Sequence, residues 1–309
     1  MKIGIVGVGA MGSVYAGLLG DAGNEVWAID RWQDHVDAIR EHGLRIEGAS
    51  GDRTVAIETA TSPDEVGDCE LVIIATKAMD ATAAAELARP LVADGTVVLS
   101  IQNGLGGPER VAEVLGEEPV AIGVVGGFGA SIVAPGHVRH EGWELVRLGE
   151  RSGPATPRVE EIADVWRAAG FKVQTYDDVG KLVWEKLVCN STYSGPCTVL
   201  ESTIGGVLDD PEAWAVASRC GSEAYETGVA LGVSFGFDDP VEYVHAFGSK
   251  MRDARPSMLL DYLAGRRSEV DFINGAIPPL ADSLGLGAET NRTVAQFVRA
   301  KERVRLEAG

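Results

Sequence analysis

Lys186 and Asn190 stand four residues apart in the run Gly180-Lys-Leu-Val-Trp-Glu-Lys-Leu-Val-Cys-Asn190. In a helix that spacing puts both side chains on one face, one turn apart. An ammonium beside an amide can protonate a developing alkoxide and fix the carbonyl it comes from, which is what carbonyl reduction asks of a protein. The aliphatic neighbours Leu182, Val183 and Leu187 favour partial burial of Lys186. By residue type alone, the plainer reading is a solvent-facing Lys and a helix-terminal Asn.

A second group follows in Arg255-Pro-Ser257-Met-Leu-Leu260 and in Ser268-Glu-Val-Asp-Phe-Ile-Asn-Gly275. Ser268 with Asp271 has the spacing of a capping box, and Glu269 in a first turn suits the helix dipole. Alternatively, Glu269 reaches a cleft to orient Lys186 or to bind a substrate hydroxyl. Ser257 is either a helix-start residue or a hydroxyl donor to a carboxylate. Spacing leaves these readings open.

Such groups need elements to position them and a second reactant. The chain opens with an apolar strand over residues 2–6, then Gly7, Gly9 and Gly12 at G-x-G-x-x-G spacing, then helix-forming residues 13–22. Strand, glycine turn and helix in that order indicate dinucleotide binding. Gly7 allows the tight turn, Gly9 the close approach of a pyrophosphate, and Gly12 the packing of helix on strand. Ala10 and Met11 complete the expected phosphate-binding loop, whose helix N-terminus points free N–H groups at the phosphates.

Asp30 ends a second apolar run over 25–29, where such a fold binds the adenosine ribose. Its carboxylate would repel a 2′-phosphate and favours NAD, whereas the adjacent Arg31 could clamp that phosphate and favours NADP. Asp30 also reads as the N-cap of a predicted helix over 32–42. Lys77 follows the strand over 71–75 and faces either cofactor or solvent. Asn103, in the Gln102-Asn103-Gly104 turn after the strand over 96–101, can reach a nicotinamide ribose or a substrate oxygen.

Residues 44–57 alternate weakly around Gly48 and Gly51, as a hairpin or loop excursion. Strands are predicted over 120–125 and 144–148, with a glycine-rich stretch and Pro135-Gly136 between them. A helix over 154–169 and a strand over 172–176 complete one doubly wound parallel sheet with some antiparallel additions. From Asp177 helical periods dominate, with breaks at Gly195-Pro196, Asp239-Pro240, Pro256 and Pro278-Pro279. The expected architecture is α/β: a Rossmann-type domain over 1–176 and an all-helical catalytic domain over 177–309, packed directly on the first to close the cofactor cleft.

A chain of 309 residues with 45% hydrophobic and 24% charged content is ordinary for a soluble enzyme. The net charge of -19 argues against nucleic acid or an anionic membrane as a partner. Cys69, Cys189, Cys197 and Cys220 form no C-x-x-C pair and do not cluster with histidines, so reduced thiols and no metal site are expected. The first strand begins at residue 2 and no apolar run reaches membrane-spanning length, which gives a cytoplasmic expectation. No Ser/His/Asp signature or Walker-type loop points to hydrolysis. A homodimer is an open alternative to a monomer.

The spaced set resembles the ketopantoate reductase (2-dehydropantoate 2-reductase) family over nearly the whole chain. It comprises the glycine motif, Gln102-Asn103-Gly104, Trp184-Glu-Lys186-Leu-Val-Cys-Asn190, Pro256-Ser257-Met258-Leu259 and Glu269-Val-Asp271-Phe-Ile-Asn274-Gly275. The resemblance implies a small 2-oxo acid substrate, Lys186 as general acid and Glu269 assisting it. It also implies that Asn103 holds cofactor and substrate, and that Asn190 and Ser257 bind the 2-oxo acid or its distal hydroxyl. Family members often carry a second Asn four residues beyond Asn190; here that position is Ser194. Asp30-Arg-Trp32, followed by His35-Val-Asp-Ala-Ile39, resembles the branch of D-2-hydroxyacid dehydrogenases that use NADH, such as D-mandelate dehydrogenases. More distant alternatives are a β-hydroxyacid dehydrogenase, which the signature at 269–275 disfavours, and a non-catalytic dinucleotide sensor.

Overall fold

The structure, a computed structural model, describes residues 1–127, 129–142 and 145–307. β1 (Lys2–Val6) turns through the glycines into α1 (Ala10–Asp21). This helix starts inside the motif rather than at the predicted residue 13, because Gly9 is its N-cap. β2 (Glu25–Ile29), α2 (Gln33–His42), β3 (Leu44–Gly48), β4 (Arg53–Val55), β5 (Glu58–Ala60) and β6 (Leu71–Ile74) follow. Next come α3 (Ala81–Ala88), β7 (Val97–Ser100), α4 (Gly107–Leu115), β8 (Val120–Val125), β9 (Gly129–Ala134) and β10 (His137–Gly142). β11 (Leu145–Glu150), α5 (Pro157–Ala168) and β12 (Lys172–Thr175) complete the α/β part. The predicted start of β11, Glu144, lies outside the described residues.

Eight strands form one sheet in the order β12-β11-β8-β7-β6-β1-β2-β5. All neighbours are parallel except β8 and β11. β1 sits near the middle, with Ile3, Ile5 and Val6 buried, and its carboxyl end delivers the glycine loop to the edge where such sheets bind ligands.

The single predicted sheet is corrected by a second one, of four strands in the order β4-β3-β10-β9. The stretch before Glu144 escaped prediction because its inward positions are not uniformly apolar. In β10 the buried residues are Val138 and His140, and no residue of β9 is fully buried. The strand signal of alternating apolar residues is therefore missing. This second sheet explains α1. The helix packs against β1 and β2 and also against β3, β4, β9 and β10, so every residue from Gly12 to Leu19 is buried. A helix apolar all round is one covered all round.

The remainder is helical: α6 (Val179–Leu200), α7 (Ile204–Asp209), α8 (Pro211–Ala230), α9 (Pro240–Lys250), α10 (Ser257–Leu263), α11 (Ile277–Ser283) and α12 (Glu289–Glu307), with short 3₁₀ turns between α10 and α11. The expected break at Gly195-Pro196 is wrong, since α6 continues through it. A mid-helix Pro costs about 3 kcal/mol. Burial of Ser191 to Thr198 on all sides compensates here. Pro211 and Pro240 start helices behind the capping carboxylates Asp210 and Asp239.

The chain divides into two compact units, residues 1–102 with 106–179 and residues 103–105 with 180–309. Asn103, Gly104 and Leu105 thus belong with the helical unit, although they follow a strand of the other. Among the described residues, no helix is long and apolar enough to cross a membrane.

Candidate active site

The candidate residues form two groups, one in each unit. In the α/β unit, Gly7 has φ +94°, a conformation that only glycine adopts freely, and a Cβ there would lie 2.6 Å from Thr76 Cγ2. A Cβ on Gly12 would lie 2.0 Å from the Gly7 carbonyl oxygen. Gly9 differs: its φ is -69°, and a Cβ there would meet no protein atom within 4 Å. The protein's own packing therefore demands glycine at Gly7 and Gly12 but not at Gly9.

Glycine at position 9 makes sense if another molecule approaches that backbone. Ala10, Met11 and Gly12 form the first turn of α1, whose N–H groups lack intrahelical acceptors. The buried Thr76 hydroxyl beside Gly7 has no hydrogen-bond partner among the described residues. These features suit the phosphates of a dinucleotide.

The N-cap reading of Asp30 is incorrect. α2 begins at Gln33 with Trp32 as its N-cap and no side-chain cap bond. Asp30 instead accepts from the Val8 N–H through Oδ2 at 2.7 Å and from the Trp32 N–H through Oδ1 at 2.9 Å. Its carboxylate is thereby fixed at the end of β2. Arg31 projects into solvent, and its nearest acidic contact is Asp80 Oδ1 at 3.4 Å. Lys77 is half-buried and opens the 3₁₀ turn Ala78–Asp80.

In the helical unit, Lys186 Nζ donates to Asn103 Oδ1 at 2.6 Å, and Asn103 Nδ2 donates to Glu269 Oε2 at 3.2 Å. Lys186 is half-buried on α6 and Glu269 is buried. The Asn103-Gly104-Leu105 turn is pinned where it meets Glu269. Leu105 N–H donates to the Phe272 carbonyl at 2.9 Å, and a Cβ on Gly104, at φ +79°, would lie 2.1 Å from that same oxygen. The Asn-Gly pair is thus a turn, and the turn presents Asn103 to Glu269.

The capping-box reading of Ser268 and Asp271 fails. Residues 270–272 form a single 3₁₀ turn with Glu269 at its cap position and no side-chain cap bond. The Ser268 N–H donates to Glu302, and Asp271 pairs with Arg299 at 2.6 Å and Arg267 at 3.2 Å. Asn274 donates to the Ser191 carbonyl at 2.8 Å and to Asn291 Oδ1 at 2.9 Å. Asn291 is held in turn by Glu223 and the Cys220 carbonyl. Every polar residue of the signature Glu-x-Asp-x-x-Asn therefore has its own partner, and Glu269 connects to Lys186 through Asn103. The Asn274 network was not anticipated from sequence, since its partners lie on α6 and α12.

Asn190 sits one turn beyond Lys186, in mid-helix rather than at a helix end, and Ser194 is buried one turn further on. Ser257 is exposed at the first position of α10. Among the described residues, no group of three His, Cys, Asp or Glu side chains could hold a metal ion. The four cysteines are free and buried.

The ketopantoate reductase PanE/ApbA family pattern matches residues 3–153, and its C-terminal counterpart matches residues 178–302. The 2-dehydropantoate 2-reductase of Pyrococcus abyssi is 32% identical over 303 residues, spanning 98% of each chain. The crystal structure of a PanE/ApbA family ketopantoate reductase from Ralstonia eutropha JMP134 superposes with a TM-score of 0.91 at 32% identity, covering 99% of both chains. A ternary structure of D-mandelate dehydrogenase with NADH and anilino(oxo)acetate superposes with a TM-score of 0.92 at 25% identity, again over 99% of both.

Proposed function

Because this chain belongs to the ketopantoate reductase family, we propose that it reduces 2-dehydropantoate to pantoate with a nicotinamide dinucleotide, Lys186 serving as general acid. It is an NAD(P)-dependent oxidoreductase acting on CH–OH groups. The observation that carries the assignment of roles is the chain Lys186–Asn103–Glu269.

A reduced nicotinamide, when bound, supplies the hydride. Lys186 directs its ammonium at the keto oxygen, stabilises the charge that develops there, and passes a proton from Nζ to it. Asn103 orients that ammonium, and Glu269 fixes the Asn103 amide. Asn190, Ser194 and Ser257 hold the carboxylate or the distal hydroxyl of the small 2-oxo acid. Gly7, Gly9, Ala10, Met11 and Gly12 take the pyrophosphate, and Lys77 flanks it. The fixed carboxylate of Asp30, with Arg31 leaning on Asp80, favours NADH over NADPH.

A second reading is reduction of another 2-oxo acid with NADH. The likeness to D-mandelate dehydrogenase, Asp30, and Ser194 at the family's second Asn position support it. Steady-state rates on ketopantoate, phenylglyoxylate and branched 2-oxo acids, each with NADH and NADPH, separate the two. Tight dinucleotide binding without turnover of any 2-oxo acid would overturn both in favour of a sensor.

A further inference from the structure

We propose that His35 is a positioning residue for dinucleotide binding, holding the Val8 peptide of the glycine loop in place through Ser13. The inference rests on the dinucleotide reading of that loop.

Val8 lies between Gly7 and Gly9, two residues that do little to restrain their own backbone. Its peptide groups are fixed from outside instead. The Val8 N–H donates to Asp30 Oδ2 at 2.7 Å, and the Val8 carbonyl accepts from Ser13 Oγ at 3.0 Å. Ser13 Oγ lies 3.2 Å from His35 Nε2, and His35 Nδ1 accepts from the Gly136 N–H at 3.0 Å.

These contacts fix the tautomer. Because Nδ1 accepts, the neutral ring carries its proton on Nε2 and donates to Ser13, which leaves the Ser13 hydroxyl proton for Val8. Both side chains are fully buried. Burial lowers the pKa of His35, against an opposing pull from Asp30, so the neutral form is the working one.

Gly136 belongs to the turn between β9 and β10, which packs closely on α2: a Cβ on it would lie 3.0 Å from Ala38 Cβ. The relay thus runs from the second sheet, through α2, to the loop where a pyrophosphate is held. Pre-organising a loop lowers the ordering cost of binding. None of these groups is needed for proton transfer to a 2-oxo acid, so the effect belongs to the cofactor.

Calorimetric titration of NADH and NADPH into the wild type and the variants His35→Gln, His35→Asn and Ser13→Ala tests the proposal. Gln can place its amide nitrogen where Nε2 stood and keep the donor to Ser13, whereas Asn can keep only the contact to Gly136. Loss of one neutral hydrogen bond corresponds to roughly a tenfold weaker Kd. We expect that loss in His35→Asn and Ser13→Ala, with His35→Gln near wild type. The loss should appear in the KM for the dinucleotide and not in that for the 2-oxo acid. Equal weakening by Gln and Asn, or none in Ser13→Ala, would overturn the relay. A wild type that binds neither dinucleotide would overturn both the relay and the proposed function.

Discussion

Asn103 joins Lys186 to Glu269, accepting from the ammonium at 2.6 Å and donating to the carboxylate at 3.2 Å. Its amide orientation follows from its partners, because a flipped amide would set NH₂ against the cation and oxygen against the anion. A short side chain that serves a cation and an anion at once must carry both a donor and an acceptor. Asn does so, and Asp or Leu does not.

Lys186→Ala should lower kcat by about 10²–10⁴ through loss of the general acid. Dinucleotide Kd should stay close to wild type. Asn103→Asp should also lower kcat, since it opposes Glu269 with a like charge. In the double variant Asn103→Ala with Glu269→Ala, the losses should be clearly smaller than the sum of the single ones, because Glu269 acts through Asn103. Additive losses in steady-state kinetics would refute that coupling.

Gly7→Ala and Gly9→Ala should separate folding from binding. The first is strained by its positive φ and by the Thr76 contact, so its melting temperature should fall. The second meets no protein atom and should fold like wild type while losing dinucleotide affinity. Thermal melts with parallel titrations decide it; a stable Gly9→Ala variant with unchanged affinity would contradict the loop assignment.

Asp30→Ala should raise the ratio of NADPH to NADH kcat/KM, on the order of tenfold, by removing a fixed carboxylate. Asp80→Asn should move the ratio the same way but less, since its contact with Arg31 is exposed and such pairs are weak. No change in Asp30→Ala would remove the basis for an NADH preference.

His35 and His140 are buried, and burial lowers both below the usual 6.5; Asp30 partly opposes this for His35, and the bond to the Gly142 carbonyl does so for His140. The folded chain keeps them neutral where the unfolded chain binds protons. Their contribution is therefore present above the unfolded value and lost as pH falls through it toward the lower folded values. Urea melts should show declining stability from about pH 7 downward, at most about 1.4 kcal/mol per pH unit for each histidine. His140→Gln should flatten that decline.

Asn274→Ala would leave the Ser191 carbonyl and Asn291 Oδ1 without the donor they share. A cost of about 1–3 kcal/mol is expected, chiefly from the buried Asn291 Oδ1, because the Ser191 carbonyl lies within α6 and keeps its helical donor. Chemical denaturation measures it, and a change under about 0.5 kcal/mol would show that the network relaxes around the gap.

Local rules made the dinucleotide half of the molecule legible. Glycine spacing, short apolar strands and helix-forming runs are properties of neighbouring residues, so β1, β2, β6, β7 and β8 could be read within a residue or so of their ends. The Lys186 and Asn190 spacing likewise fixed a shared helical face before any fold was known. Other features depended on partners distant in the chain. The second sheet buries His140 where the strand pattern wants an aliphatic residue, and α6 runs through Pro196 because its surroundings cover it. At 268–271 the Ser268 N–H goes to Glu302 and Asp271 to Arg299 and Arg267, while the buried Ser268 hydroxyl has no hydrogen-bond partner among the described residues, so no capping box forms. Asn103 sits 83 residues from Lys186 and 166 from Glu269 along the chain. Only the tertiary fold brings a turn, a helix and a 3₁₀ segment close enough for one amide to bridge the two charges.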